Sequence, residues 1–281
     1  MAAKKQQQQV PEGCTHDCST CGADCPSKKP IEKDPANKDS RVKHIIGVVS
    51  GKGGVGKSLV TSLLALGTER LGKKAAIMDT DITGPSIPRI FGVSGDVLSN
   101  GEAMIPLESE NGTKIISIGF FLEHPDDPVV WRGPVIAGTV KQFWTDVAWG
   151  DVDYMYVDMP PGTGDVPLTV FQSLPLDGVV IVTSPQQLVG EIVGKAVNMA
   201  AKMNIPVLGL IENMSYLRCP DCGREIELYG PSRLDELAKK YKLTALGKIP
   251  IDPVFASLCD NGEIESTDSP VPKELAEKIV K

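Results

Sequence analysis

Short apolar runs recur along the chain from residue 44 onward, and most of them are continuous rather than alternating with polar residues. Continuous apolar runs are typical of strands that are buried on both faces. They predict strands at 45–49, 75–78, 115–118, 154–157, 179–182, 207–211 and 246–249. Helical patterns lie between or after them, at 58–71, 188–203, 231–241 and 273–280. This alternation predicts an α/β fold with a doubly wound, mostly parallel sheet.

The first 43 residues differ in character from the rest of the chain. They contain a run of glutamines, four cysteines and a charged, proline-containing stretch, with few side chains able to fill a hydrophobic core. We therefore predict a flexible, cysteine-bearing tail over residues 1–43 and one α/β domain over residues 44–281. A length of 281 residues does not require a second full domain.

The composition narrows the expected partners and compartment. A net charge of −7 and a pI of about 5.1 disfavour a generic surface for nucleic acid or anionic membranes. The sequence has no run of about 18 apolar residues that could span a membrane. Its first ten residues have no apolar stretch typical of a secretory signal. We expect a cytoplasmic protein with neither nucleic acid nor membrane among its partners.

The most specific motif directly follows the first predicted strand. It consists of Gly51, Lys52, Gly53, Gly54, Val55, Gly56, Lys57 and Ser58. Glycines at these spacings let backbone N–H groups cradle phosphate oxygens, and the N-terminus of the next helix favours negative charge. Lys57 is expected to reach the β- and γ-phosphates, and the Ser58 hydroxyl to hold Mg²⁺. The segment predicts a P-loop that binds ATP with Mg²⁺.

A second lysine, Lys52, stands near the start of this loop, where the general P-loop pattern does not require one. The Lys-Gly-Gly-Val-Gly-Lys-Ser form resembles the deviant P-loop of the MinD, ParA and nitrogenase iron-protein class. This resemblance implies a homodimer in which Lys52 crosses the interface and stabilises transition-state charge at the partner's nucleotide, as an arginine finger does. A solvated loop lysine is the simpler alternative.

Acidic residues follow two later strands, at positions where ligands bind in open α/β sheets. Asp79 and Asp81 follow the second predicted strand, and Asp158 follows the fourth. We expect Asp81 to orient or activate the attacking water, with Asp79 supporting it or the Mg²⁺ shell. Asp158 is expected to act on Mg²⁺ as the Walker B-type carboxylate. Asn213, after the sixth strand, is the candidate for reading the purine base.

Six of the seven cysteines fall in two clusters, which indicates metal ligation rather than a disulfide framework. Cys219 and Cys222 form a C-x-x-C pair whose thiolates suit a shared metal or cluster. Two ligands are too few for a tetrahedral zinc or an all-cysteine 4Fe–4S site, and a symmetric dimer would supply the other two. Redox or structural use of the pair is the alternative.

The second cluster lies in the tail and comprises Cys14, Cys18, Cys21 and Cys25. Four thiols within about a dozen residues can bind a cluster or zinc on one chain, and His16 could replace one of them. Thiolates serve both metals, so the spacing leaves iron–sulfur and zinc open. Cys259 stands alone and is expected to be a packed or inert thiol.

Taken together, these motifs resemble the Mrp/ApbC family of iron–sulfur cluster carrier ATPases. The resemblance covers about residues 41–281 and rests on the P-loop, 79–88, 131–134, 158–165, 212–215 and the C-x-x-C pair. It implies an ATP-hydrolysing homodimer that binds ATP between its subunits. It also implies a labile 4Fe–4S cluster bridged by Cys219 and Cys222 of both chains, and cluster transfer to apo-proteins. The tail is similar to the cysteine-bearing extension of some members, with a different spacing of its first cysteine.

Three other functions stay open. A MinD/ParA-like positioning ATPase typically needs a C-terminal amphipathic membrane helix or a basic DNA-binding surface, and the short, mixed-charge end at 272–281 suits neither. A nickel or cobalt metallochaperone GTPase is disfavoured because the sequence has no Asn-Lys-x-Asp guanine motif. An ATP-coupled reductase that passes electrons through its cluster, as the nitrogenase iron protein does, would require a stable redox cycle coupled to ATP.

Overall fold

The structure, a computed structural model, describes residues 33–82, 84–122, 133–186 and 189–281. The tail cysteines Cys14, Cys18, Cys21 and Cys25 lie outside the described residues, as does the start of the 131–134 motif. All of the described residues belong to one compact unit, Lys33–Lys281.

An eight-stranded sheet forms the centre of this unit, with a separate two-stranded hairpin after its seventh strand. The order in the sheet is β10-β7-β6-β1-β5-β2-β4-β3, and β8 pairs with β9. Every pairing in the large sheet is parallel except that of β3 with β4. The strands are β1 (Ser40–Ser50), β2 (Ala75–Asp79), β3 (Leu107–Glu108), β4 (Lys114–Ser117), β5 (Gly150–Asp158), β6 (Gly178–Thr183), β7 (Val207–Glu212), β8 (Leu217–Arg218), β9 (Glu225–Ile226) and β10 (Ala245–Lys248). The predicted doubly wound, mostly parallel sheet is confirmed.

Helices cover both faces of the sheet, which explains why its strands are apolar at consecutive positions. In β1, Ile45 and Val49 belong to one buried cluster, whereas Ile46 and Val48 belong to the other. Successive strand residues point to opposite faces, so a strand covered on both sides needs an uninterrupted apolar run. The helices are α1 (Lys57–Arg70), α2 (Ile87–Ile90), α3 (Gly133–Thr145), α4 (Asp165–Ser173), α5 (Val189–Lys202), α6 (Leu234–Tyr241), α7 (Pro253–Asn261) and α8 (Val271–Ala276).

The α/β unit begins earlier than the sequence boundary at residue 43. β1 starts at Ser40, and its first residues already pair with β5, as Ser40 does with Gly150. Upstream of β1, the backbone N–H of Asp34 donates to Ser173 O at 2.9 Å, and Trp144 Nε1 donates to Asp34 O at 2.9 Å. The segment 33–43 is only partly buried, which agrees with its polar sequence. Backbone hydrogen bonds and strand pairing nevertheless connect it to the rest of the unit.

The helices of the last part of the chain also differ from the sequence pattern. The closing helix is α8, Val271–Ala276, rather than 273–280. The helix α7 was not predicted, although Asp252 and Pro253 form a recognisable start to it. The Asp252 side chain accepts a hydrogen bond from Val254 N at 2.9 Å, and proline is favoured at the first helical position. Across the described residues, the structure contains no helix with the length and apolar character needed to cross a membrane.

Candidate functional site

The predicted nucleotide-binding residues come together at the carboxyl end of the parallel strands. The P-loop, 51–56, connects β1 to α1, and β1 lies between β5 and β6 in the sheet. Val48 of β1 pairs with Asp158 of β5, and Asp79 of β2 pairs with Asp158 from the other side. This register brings the strand-end carboxylates Asp79 and Asp158 next to the P-loop, as expected for an open α/β sheet.

Two P-loop glycines are required by close contacts with other elements. A Cβ on Gly51 would lie 1.8 Å from Ile192 Cγ2 in α5, so no side chain fits there without moving the helix. Gly56 has a φ of +75°, and a Cβ on it would lie 2.2 Å from Asn213 Nδ2. Glycine alone adopts this backbone conformation without strain and leaves room for the asparagine.

Lys57 lies buried among the carboxylates of the site. Its side chain is 6% exposed, with Nζ 2.7 Å from Asp158 Oδ1 and 3.4 Å from Asp81 Oδ2. Burial by itself lowers the pKa of a lysine, but the charges of Asp158 and Asp81 outweigh it and raise the pKa of Lys57. The ammonium therefore stays charged at neutral pH, as phosphate binding requires.

Asp158 connects three side chains of the first turns of α1. It is fully buried and accepts hydrogen bonds from Ser58 Oγ at 2.6 Å and from Thr61 Oγ1 at 2.8 Å, besides its pairing with Lys57. A serine hydroxyl next to a carboxylate is a donor set that suits Mg²⁺, a hard cation with oxygen ligands. Thr61 was not predicted; its signal in the sequence is its position one helical turn after Lys57.

Asp79 and Asp81 differ sharply in their surroundings. Asp79 is fully buried, with Oδ2 accepting from Ser117 Oγ at 2.9 Å and Oδ1 accepting from Asp81 N at 3.1 Å. Burial, and then the charge of Asp158, raise the pKa of Asp79 well above the usual carboxyl range. Asp81 instead lines the nucleotide cleft. These contacts suit Asp79 as a support for the backbone of Asp81, and Asp81 as the group that faces the nucleotide.

Lys52 contacts Gln186, which follows β6 in the same chain, through a hydrogen bond from Nζ to Oε1. The predicted role of Lys52 concerns a second subunit and stays a prediction. Asn213 lies buried beneath the P-loop, where its Nδ2 donates to Val55 O at 2.9 Å. This contact supports the P-loop backbone, and base reading by Asn213 also stays a prediction.

A cleft of about 510 Å³ extends from the P-loop toward α7. Its walls include four residues that the sequence motifs do not indicate as part of a nucleotide site, namely Pro250, Asp252, Phe255 and Cys259. They come from the β10–α7 connection and from α7, which no local pattern links to a P-loop about 200 residues earlier. Burial, and then the charge of Asp260, raise the pKa of the Cys259 thiol to about 11, which agrees with a packed, inert cysteine.

Cys219 and Cys222 lie at the turn of the β8–β9 hairpin. Cys219 N donates to Arg224 O at 2.9 Å, and Gly223 N donates to Cys219 O at 2.9 Å, which closes the turn. The backbone N–H groups of Cys222 and Asp221 lower the pKa of the Cys219 thiol. The two cysteines line a second cleft of about 660 Å³.

The C-x-x-C pair is an incomplete ligand set by itself. Within the part of the chain that the structure describes, no group of three or more His, Cys, Asp or Glu side chains is placed to hold one metal ion. Cys259 lies in the nucleotide cleft rather than beside the pair. Two thiols suit a metal or cluster whose other ligands come from elsewhere.

Comparison with known proteins agrees with the P-loop site and the C-x-x-C pair. The model of the ParA family, described as "NUBPL iron-transfer P-loop NTPase", matches residues 41–281 of this chain. The chain is 40% identical over 256 residues to a Clostridium perfringens protein named iron-sulfur cluster carrier protein, covering 88% of this chain and 90% of that one. It is 43% identical to a solved nucleotide-binding protein of Archaeoglobus fulgidus in complex with ADP, with a TM-score of 0.74, covering 82% and 90% of the two chains.

A more distant likeness concerns the fold alone. The septum site-determining protein MinD of Pyrococcus horikoshii, solved with Mg-ADP, is 21% identical, has a TM-score of 0.58 and is covered over 97% of its length by 86% of this chain. The fold prediction and the resemblance read from the motifs are thus confirmed by independent comparisons. The site geometry and the match over 41–281 give the same answer: the chain belongs to the family of NUBPL iron-transfer P-loop NTPases.

Proposed function

We propose that the protein is an ATP-dependent iron–sulfur cluster carrier that works as a homodimer and transfers its cluster to apo-proteins. The observation that carries the proposal is the position of the C-x-x-C hairpin, which follows β7 directly and lies beside a complete P-loop site. The names of similar proteins support the same function.

Hydrolysis of ATP is assigned to residues that already lie together. In this structure the Lys57 ammonium forms ion pairs with Asp158 and Asp81. When ATP is bound, its phosphates would pair with this ammonium instead. Asp81 would then accept a hydrogen bond from the attacking water. The water oxygen bonds to the γ-phosphorus while the bond to the bridging oxygen breaks, which leaves ADP and phosphate. Ser58, and Asp158 through water, would hold the Mg²⁺ that neutralises phosphate charge.

The proposed cargo is a 4Fe–4S cluster shared between two subunits. Each chain contributes the thiolates of Cys219 and Cys222, so two chains supply the four cysteines that such a cluster needs. Lys52 would cross the same interface to the partner's nucleotide, and the dimer would link the two sites. The tail cysteines 14, 18, 21 and 25 would hold a separate cluster or zinc.

Anaerobic reconstitution with iron and sulfide tests the carrier site. We would compare the full chain, a variant lacking residues 1–32, and the same truncated variant with Cys219→Ser and Cys222→Ser. The truncation starts at residue 33 because the unit begins there. About four irons and four sulfides per dimer in the truncated variant, lost on serine substitution, would support the proposal. Zinc alone, or metal that persists without both cysteines, would contradict it.

A further inference from the structure

Two short chain segments separate the nucleotide cleft from the cysteine cleft; we call residues 213–217 and 248–252 the shared wall. In the first segment, Asn213 and Met214 line the nucleotide cleft, whereas Ser215 and Tyr216 line the cysteine cleft. In the second, Lys248 lines the cysteine cleft and residues 250–252 line the nucleotide cleft. Each segment therefore faces both sites.

Backbone hydrogen bonds hold the two segments of the shared wall together. Ser215 N donates to Ile249 O at 2.9 Å, and Ile251 N donates to Tyr216 O at 2.7 Å. Buried groups reinforce the first segment, since Ser215 Oγ donates to Glu212 Oε1 at 2.6 Å. A shift of either segment must move the other, because buried backbone groups keep their partners.

The shared wall is anchored at the P-loop and leads directly to the cysteines. At one end, Asn213 Nδ2 donates to Val55 O in the P-loop at 2.9 Å. At the other end, Leu217 forms a bridge with Ile251 and begins β8, whose turn carries Cys219 and Cys222. A continuous path of main chain thus joins a P-loop carbonyl to both cysteines.

Met214 occupies a strained backbone position where the wall turns from one cleft to the other. Its φ is +56°, a left-handed conformation that residues with a long side chain rarely adopt. Its Cε lies 3.9 Å from the point where a Cβ on Gly56 would stand, so the side chain reaches the P-loop. Strained positions of this kind persist where the surrounding structure imposes them, and they cluster at switch regions.

We propose that Asn213 and Met214 are positioning residues that couple nucleotide binding at the P-loop to the geometry of Cys219 and Cys222. Movement of the P-loop backbone on nucleotide binding is passed by Asn213 and the fixed turn at Met214 to the β8–β9 hairpin of the same subunit. The inference rests on the proposed function and adds a route within one chain, independent of the subunit interface.

The test measures how a nucleotide changes the reactivity of the two thiols in the full-length, cluster-free protein. Iodoacetamide alkylation of Cys219 and Cys222 is followed by peptide mass spectrometry, with and without Mg²⁺ and a non-hydrolysable ATP analogue. The variant is Met214→Gly, which removes the steric preference at the turn. The matched control is Lys242→Gly, because Lys242 has a φ of +55° at the C-terminus of α6 and lines neither cleft.

In the wild type and in Lys242→Gly, we expect the analogue to change the alkylation rate by about fivefold or more, the lower end of usual coupling between two sites. In Met214→Gly, with the analogue at a saturating concentration for each protein, the change should fall below about twofold while the analogue still supports dimer formation. An unchanged nucleotide effect in Met214→Gly, or none in the wild type, would overturn the coupling. Loss of the effect together with the dimer would also overturn it, because association alone would then explain the protection.

Failure of this inference is distinguishable from failure of the carrier function. Iron and sulfide are quantified on the same preparations after anaerobic reconstitution. A wild type that binds the cluster but shows no nucleotide effect on its thiols would reject the coupling alone. A wild type that binds no cluster would reject the proposed function itself.

Discussion

Glu69 provides a test of the electrostatics of the fold that is independent of any ligand. It lies in the last turn of α1, the helix that begins at Lys57. Its Oε1 accepts a hydrogen bond from Thr113 Oγ1, while its Oε2 is buried without a hydrogen-bond partner among the described residues. Burial, and then the charge of Glu265, raise the pKa of Glu69 to about 7 although the Thr113 hydrogen bond opposes the rise.

The sign of the pH effect follows from this elevated pKa. In the unfolded chain the carboxyl group loses its proton near pH 4.3, whereas in the folded protein Glu69 keeps it until about pH 7. The contribution of Glu69 to the free energy of unfolding is therefore fully present below about pH 4, and it is lost as the pH rises through 7. The pKa difference corresponds to about 4 kcal/mol, and partial exposure of the side chain reduces this to about 1–2 kcal/mol.

Glu69→Gln removes the titration and keeps the acceptor for Thr113. We expect its free energy of unfolding, relative to the wild type, to rise by about 1–2 kcal/mol between pH 5 and pH 8.5. Urea unfolding followed by circular dichroism across this pH range measures the difference. The matched control is Glu108→Gln at an exposed position of β3, which makes the same chemical change away from the buried carboxyl group. A difference for Glu69→Gln that does not change between pH 5 and 8.5 would refute the assignment.

Other predictions concern the P-loop and α7. Lys57→Ala should reduce ATP hydrolysis to background and destabilise the fold by about 3 kcal/mol, because buried Asp158 loses its cation; wild-type turnover in a phosphate-release assay would contradict this. Gly51→Ala should lower the free energy of unfolding by about 1–3 kcal/mol, since its methyl group displaces Ile192; unchanged urea unfolding would count against that contact. Asp252→Ala should cost about 1 kcal/mol by removing the N-cap of α7, and Asp252→Asn should restore most of it.

Sequence alone predicts those parts of the fold and the site that a local pattern of residues marks. The P-loop and the strand-end residues Asp79, Asp81 and Asp158 lie beside one another, because the ends of parallel strands meet at one edge of the sheet; the roles predicted for them stay predictions. Hydrophobic runs also gave most strands to within a few residues. These features depend on local order along the chain.

Other features depend on contacts between distant segments, and these were missed. The position of Thr61 one helical turn after Lys57 indicates the same face of α1, but it does not show that the Thr61 hydroxyl contacts Asp158 in β5. The sequence around Asp34 likewise does not show that its backbone forms hydrogen bonds with Ser173 and Trp144. The predicted domain start at residue 44 therefore lies after the observed start of the unit at Lys33. The cleft-lining residues of α7 are brought to the P-loop by the order of strands in the sheet, which periodicity does not encode.

The central position of β1 has a consequence for how the protein is made. Among the strands that the structure describes, β1 is synthesised first, but both of its neighbours, β5 and β6, come more than 90 residues later in the chain. The P-loop that follows β1 thus stays without its supporting strands while residues up to Thr183 are translated. Asn213 and the walls from α7 arrive later still. A ribosome-bound chain cut short before these elements should bind no nucleotide, so the ATP site serves as a marker of complete folding.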